Sequence, residues 1–332
     1  MSTPQRFRDR EVVLPNDVHG ETIEIPSASP VNYWQAISDP AAMPRVTVDG
    51  KLFLPKDAKA RMPVVVIVPG SLSIAASHLK HAETLVTLGL AAFVLDPFGA
   101  RGVTSTVANQ AQFSFAASAY DVAATVAVLA RHPALDPARI GLQGHSRGGS
   151  AVLTAATRRF CDTVHDRDLG ARAVLAAYPW CGHQFLDPDV GRTEVRVLVG
   201  DQDDWVSPQQ AQGYVQALRL RGAAATIRIV AGAEHSFDRE EPIQHIAEAS
   251  VSPAAPTGYL ADDGAFVHPI AERPDPKLTD RDLAVYALKA GYGVRGATIG
   301  SQGSQAALFR AEMTAFFCRT LAVAPSQARP AE

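Results

Sequence analysis

"RIGLQGHSRGGSAVLT", residues Arg139–Thr154, carries an apolar run into two closely spaced glycines around His-Ser-Arg, then into small residues. Arg139–Gly144 reads as a buried strand, and Ser146–Arg158 as a helix of small residues. Glycine has no Cβ, so Gly144 and Gly148 let strand and helix approach closely across a sharp turn. Ser146 stands at the corner. Its hydroxyl would project at a helix N-terminus, where free N–H groups and the helix dipole favour developing negative charge. Gly-x-Ser-x-Gly is common by chance, but a strand before it and a helix after it are the context of a nucleophilic serine.

The strand–helix rhythm extends in both directions. "PVVVIVPG" (Pro63–Gly70), Leu90–Asp96, Ala171–Pro179, Glu194–Gly200 and Ala225–Gly232 are short, continuous apolar runs, as expected of strands buried on both faces. Ser77–Leu88, Ser114–His132, Pro208–Arg221 and Ser304–Leu321 have helical spacing. Arg45–Leu54 reads as an antiparallel hairpin turning at Gly50. This alternation predicts an α/β fold with a doubly wound, mainly parallel sheet. Residues 1–44, rich in proline and polar residues, are expected to wrap the outside. Residues 237–300 read as an irregular C-terminal excursion with one short helix at Asp280–Ala290, a length that points to a functional loop or lid. The expectation is one domain over residues 1–332.

Composition limits the partners. The 332 residues are 47% apolar and 20% charged, with a formal net charge of −3, which supplies no basic field for nucleic acid or a membrane surface. No secretory signal and no apolar run of membrane-spanning length is visible, so a cytoplasmic location is expected. Cys161, Cys181 and Cys318 are odd in number and lack metal-ligand spacing, so free thiols are expected. No phosphate loop or dinucleotide fingerprint appears, and no cofactor or metal is implied. The sequence is compatible with a homodimer.

A serine hydroxyl attacks only with a base beside it and an acid orienting that base. After a strand–serine–helix corner these should follow in the order acid, then histidine, on loops at later strand ends. "VLVGDQDDWVSP" places Asp201, Asp203 and Asp204 after one strand, and "IVAGAEHSFD" places His235 after the next. Asp203 stands far enough into its loop to turn towards His235. Asp201 beside the strand end and Asp204 ahead of Trp205 are the alternatives, each also able to cap a turn or helix.

At this point the chain resembles α/β-hydrolases of the dienelactone hydrolase-like group. The likeness rests on "VVVIVPGS", "AAFVLDPFGARG", "RIGLQGHSRGG", "VLVGDQDDW" and "GAEHSFD" in that order, and continues in "GATIGSQGSQAALFRAEMTAFF". It implies that the aspartate of Gly-x-x-Asp, here Asp203, is the triad acid. Dienelactone hydrolase itself is expected to use cysteine where this chain has Ser146. The loop that usually begins His-Gly reads Pro69-Gly70-Ser71-Leu72.

Acyl transfer needs donors for the oxyanion of the tetrahedral intermediate. The backbone N–H of Arg147 and one from Ser71 or Leu72 are the candidates. Phe98, Trp180 and Trp205 follow strand ends and are candidate substrate-pocket aromatics. Arg101 could bind a substrate carboxylate or pair with Asp96. His145 and the Arg147 side chain should point away from the cleft, and His78, His81 and His183 should lie on the surface or rim. The expected function is cofactor-independent hydrolysis of a small-molecule carboxylic ester or lactone on Ser146, His235 and Asp203. An amidase or peptidase, an acyltransferase, and a non-catalytic binding protein of the same fold are the alternatives.

Overall fold

A computed structural model describes residues 6–58, 61–165 and 167–322. The first nine strands are β1 (Glu21–Ala28), β2 (Arg45–Phe53), β3 (Met62–Val68), β4 (Ala91–Asp96), β5 (Leu135–His145), β6 (Ala173–Ala177), β7 (His183–Phe185), β8 (Glu194–Gly200) and β9 (Ala225–Val230). All but β7 join one sheet in the order β1-β2-β4-β3-β5-β6-β8-β9. β1 and β2 run antiparallel at one edge, and the strands from β4 to β9 are parallel. This is the doubly wound, mainly parallel sheet that the alternation predicts.

Helices cover both faces: α1 (Tyr33–Ser38), α2 (Ala76–Thr87), α3 (Phe115–Leu129), α4 (Arg147–Ala156), α5 (Arg158–Cys161), α6 (Pro208–Leu220), α7 (Asp280–Lys289) and α8 (Gln305–Thr320). One apolar cluster joins the sheet to α3, α4 and α6, and a second joins its other face to α2 and α8. β3 is therefore buried at every position, which explains its unbroken Val/Ile run. Among the described residues, no helix is long and apolar enough to cross a membrane.

Gly50 is not a turn. It lies inside β2, paired with Ile23 on one side and Leu95 on the other. A Cβ there would fall 2.4 Å from the Phe93 ring and 2.5 Å from the Val94 carbonyl, so close packing explains the glycine. The antiparallel partner of β2 comes instead from β1, within the N-terminal region.

The excursion is more ordered than its composition suggests. β10 (Gln244–Val251) pairs with a later strand across a bulge. β11 (Gly258–Leu260), β12 (Phe266–Val267) and β13 (Pro274–Asp275) build a small sheet onto β7, and β14 (Val294–Ile299) is the partner of β10. Strands of two or three residues are too short to leave an alternating pattern in sequence.

Asp280, the first residue of α7, pins this excursion to the main domain by accepting a hydrogen bond from Phe115 N at 2.5 Å. Its other carboxyl oxygen is buried without a partner. Burial raises the Asp280 pKa from 3.8 to about 6. Between those values the folded chain holds a proton that the unfolded chain has released, so stability falls as pH rises through this window. At about 1.4 kcal/mol per unit, the loss approaches 3 kcal/mol by neutral pH. Asp280→Asn should flatten this part of the curve and be the more stable form at pH 7. Urea unfolding of both proteins from pH 4.5 to 8 checks this; parallel curves would refute it.

Candidate functional site

β5 delivers the chain to Ser146 and α4 carries it away. Ser146 has φ 54° and ψ −116°, a strained conformation for a residue with a side chain. The corner is held by Ser146 N donating to Ala177 O at 3.0 Å on neighbouring β6. A Cβ on Gly148 would sit 2.3 Å from the Val68 carbonyl, and one on Gly144 would sit 2.1 Å from the Gly148 carbonyl. Both glycines are required by close approach.

Ser146 Oγ lies 2.9 Å from His235 Nε2, and His235 Nδ1 lies 2.8 Å from Asp203 Oδ2. The three residues come from the ends of β5, β9 and β8 and are all buried. Asp203 Oδ1 accepts from the backbone N–H groups of Trp205 and Val206 at 3.0 and 2.9 Å, which fixes the carboxylate plane. The competing aspartates are bound elsewhere. Asp201 Oδ1 accepts from Gly232 N at 2.7 Å, and Asp204 accepts from Thr298 N and its hydroxyl at 2.8 and 3.1 Å. Asp204 thus ties the β8 loop to the end of the excursion, whose Gly300 N donates to His235 O at 2.9 Å.

A cavity of about 20 Å³ lies at Ser146 and is also lined by Gly70, Ser71, Leu72, Trp205, Arg239 and Ile299. The two candidate oxyanion residues of the Pro-Gly loop are therefore at the nucleophile. Among the described residues, neither Ser71 N nor Leu72 N donates to a backbone acceptor, and Arg147 N opens α4, where first-turn N–H groups lack helical partners.

The candidate aromatics separate. Trp205 stacks on the His235 ring, centroids 5.1 Å apart and planes at 15°. Phe98 packs with Phe113 and Ala117 in a separate apolar cluster, and Trp180 lines a different water-sized cavity with Tyr33, Cys181 and His183; neither lines the cavity at Ser146. Arg101 pairs with Asp121, not Asp96, through two bonds of 2.7 and 3.0 Å. All three cysteines are free thiols.

The Arg147 side chain has a role beyond its backbone. Its guanidinium is buried over the rings of Phe113 and Phe115, 4.5 and 4.1 Å from their centroids. It donates to Ser118 Oγ, Gln110 O and Phe113 O at 3.1, 2.9 and 2.5 Å. Gln110 Oε1 in turn accepts from Ser71 Oγ at 2.9 Å. One side chain thus fastens the segment that steadies the Pro-Gly loop, and burial lowers its pKa to about 10. Arg147→Met leaves the buried Phe113 carbonyl and the half-buried Gln110 carbonyl without their donor and should cost about 3–5 kcal/mol in urea unfolding. A loss under about 1 kcal/mol would show that the staple carries no load.

His81 is buried away from the surface, His78 and His145 are buried but line the cavity at Ser146, and His183 sits among Tyr33, Phe115, Trp180 and Phe266. Burial pushes the His183 pKa down to about 3. His81, His145 and Asp238 offer the only grouping among the described residues that could hold a metal, with ligand atoms within 4.8 Å of one another. The His81 Nε2 to Asp238 Oδ2 separation is 2.8 Å, a hydrogen-bond contact. This buried network lacked a sequence signal because its members come from α2, β5 and the His235 loop.

The sheet, with a Gly-x-Ser-x-Gly turn between a central strand and a helix, is that of the α/β hydrolases. The family model described as "Dienelactone hydrolase family" matches residues 48–257, more than half of the chain. The chain belongs to that family. Over 270 residues it is 23% identical to "Uncharacterized peptidase YuxL" of Bacillus subtilis (strain 168), covering 72% of this chain and 40% of that protein. The chain thus spans less than half the length of this curated relative. Similar solved structures include a putative dienelactone hydrolase from Klebsiella pneumoniae subsp. pneumoniae MGH 78578, at 18% identity and TM-score 0.46 over 66% of this chain and 89% of that one. Est1E from Butyrivibrio proteoclasticus is 18% identical with TM-score 0.43, over 57% and 86% of the two chains. An esterase from Thermogutta terrifontis is 17% identical with TM-score 0.46, over 64% and 86%.

Proposed function

We propose that this hydrolase-family protein cleaves a carboxylic ester or lactone with Ser146 as nucleophile. The observation carrying this reading is the unbroken relay from Ser146 Oγ to His235 Nε2 at 2.9 Å and from His235 Nδ1 to Asp203 at 2.8 Å. His235 takes the serine proton as Oγ attacks the carbonyl carbon, and Asp203 stabilises the imidazolium. The oxyanion is held by N–H groups of Arg147 and of Ser71 or Leu72. His235 then protonates the leaving alcohol, and the same histidine activates the water that releases the acid.

The residues lining the cavity include a cationic one, Arg239. Esters and lactones bearing a carboxylate are therefore the first substrates to compare with neutral ones. The word "peptidase" in the name of the B. subtilis relative supports amide cleavage as a second reading on the same triad. Labelling by a fluorophosphonate at Ser146, followed by matched ester, lactone and amide substrates, tests both. A protein that takes no label and hydrolyses none of them is not the proposed enzyme.

A further inference from the structure

Beside the relay, five side chains form a second polar array that the mechanism does not use. Tyr178 Oη donates to Asp238 Oδ1 at 2.5 Å. Because the Tyr178 proton goes to Asp238, His145 Nδ1, 2.9 Å from Tyr178 Oη, donates to that hydroxyl oxygen. His145 Nε2 then accepts from the Gln143 amide at 3.0 Å. His81 Nε2 donates to Asp238 Oδ2 at 2.8 Å, and His145 Nδ1 is 3.4 Å from that same oxygen. Tyr178, Asp238, His81 and His145 are each no more than 2% exposed.

The array joins the moving parts of the reaction. His145 immediately precedes Ser146, and Asp238 lies three residues after His235 on the same loop. Tyr178 follows Ala177, whose carbonyl accepts from Ser146 N. Tyr178 is held at φ 37°, a conformation that persists only where surrounding contacts enforce it. Its ring meets the His235 ring nearly edge-on, with centroids 4.6 Å apart and planes at 64°, while Trp205 stacks on His235 in parallel. The imidazole is thus packed by two aromatics, and the hydroxyl of one of them is tethered to Asp238. Burial works to raise the Asp238 pKa, but His145, His81 and the Tyr178 hydroxyl outweigh it and keep the carboxyl below its usual range.

We propose that Asp238 and Tyr178 are positioning residues for the reaction: Asp238 locks the Tyr178 ring against His235 and ties the His235 loop to the residue before Ser146. This rests on the reading of Ser146, His235 and Asp203 as the catalytic relay. Asp238 does not line the cavity at Ser146, and Tyr178, which does, acts through the packing of its ring on His235. Their effect is on the Ser146–His235 geometry, and displacements of that kind cost about 10- to 100-fold in rate.

The test uses Asp238→Asn and Tyr178→Phe in the full chain, read by kcat, KM and the rate of Ser146 phosphonylation by a fluorophosphonate. Both variants should lose about 10- to 100-fold in kcat and in phosphonylation rate with KM within about threefold, and the double variant should be no slower than the slower single one. His81→Ala should show the same loss, and His81→Gln, which returns a donor towards Asp238, should recover most of it. A role in folding alone would lower the melting temperature and leave kcat and phosphonylation unchanged in the folded protein. Rates within about threefold of the parent in both single variants overturn the proposal. If Asp238→Asn does not fold, Tyr178→Phe, which keeps the ring and removes one oxygen, decides alone. Stoichiometric uptake of Zn²⁺ at His81, His145 and Asp238, measured by metal analysis, would also overturn it. An unmodified parent protein that takes no label at Ser146 refutes the hydrolase reading instead, so the two failures are distinguishable.

Discussion

The Ser146→Ala variant is expected to fold as the parent does and to lose about 10⁴- to 10⁶-fold in kcat. Folding should survive because the change removes one oxygen, whose hydrogen bond is to His235, and leaves the glycines that shape the corner in place. Catalysis should fail because, among the described residues, no other hydroxyl is placed at His235 Nε2 in the same way. The residual rate would come from the oxyanion donors and substrate binding, which act without the nucleophile. Steady-state hydrolysis of the best ester or lactone, with thermal unfolding measured alongside, checks both halves. An intact Ser146→Ala protein that keeps parental turnover would rule out the serine as nucleophile.

Asp203→Asn carries the second large effect, of about 10⁴-fold in kcat with little change in KM. The surrounding donors set its sign. Asp203 Oδ1 accepts two backbone N–H groups, from Trp205 and Val206. An asparagine must therefore turn its carbonyl oxygen to them and present its NH₂ to His235. His235 Nδ1 then becomes an acceptor and Nε2 carries the proton, so the ring cannot take the proton of Ser146. Asp201→Asn and Asp204→Asn serve as controls, because those side chains bind Gly232 N and Thr298. They should stay within about tenfold of the parent. Equal losses at Asp203 and Asp204 would show that the acid is misassigned.

Much of the site could be read from order along the chain. Ser146, the aspartate-bearing loop and His235 follow successive strands, and a parallel sheet delivers successive strand ends to one edge. The choice among three aspartates is different. Spacing allowed each of them, and only the neighbours that consume Asp201 and Asp204 separate their roles in the fold. The pocket aromatics diverged for a related reason. Phe98, Trp180 and Trp205 all follow strand ends, yet Trp205 alone of the three lines the cavity at Ser146, because the apolar character of an aromatic does not say which way it packs. Gly50 looked like a turn because glycine serves turns and close approaches equally well, and the Phe93 ring that demands it lies on another strand.

The amino-acid sequence by itself determined the doubly wound sheet, the Gly-x-Ser-x-Gly corner and the order of its partners. Those depend on local periodicity, on backbone space and on right-handed connection, all of which are written in neighbouring residues. The tertiary structure decided which carboxylate faces His235, where the Arg147 guanidinium goes, and that His81, His145, Tyr178 and Asp238 meet beside the relay. Those outcomes depend on hydrogen bonds between residues up to 157 positions apart. Such pairs leave no pattern in sequence, since burial forces polar groups to find partners but does not say from which segment.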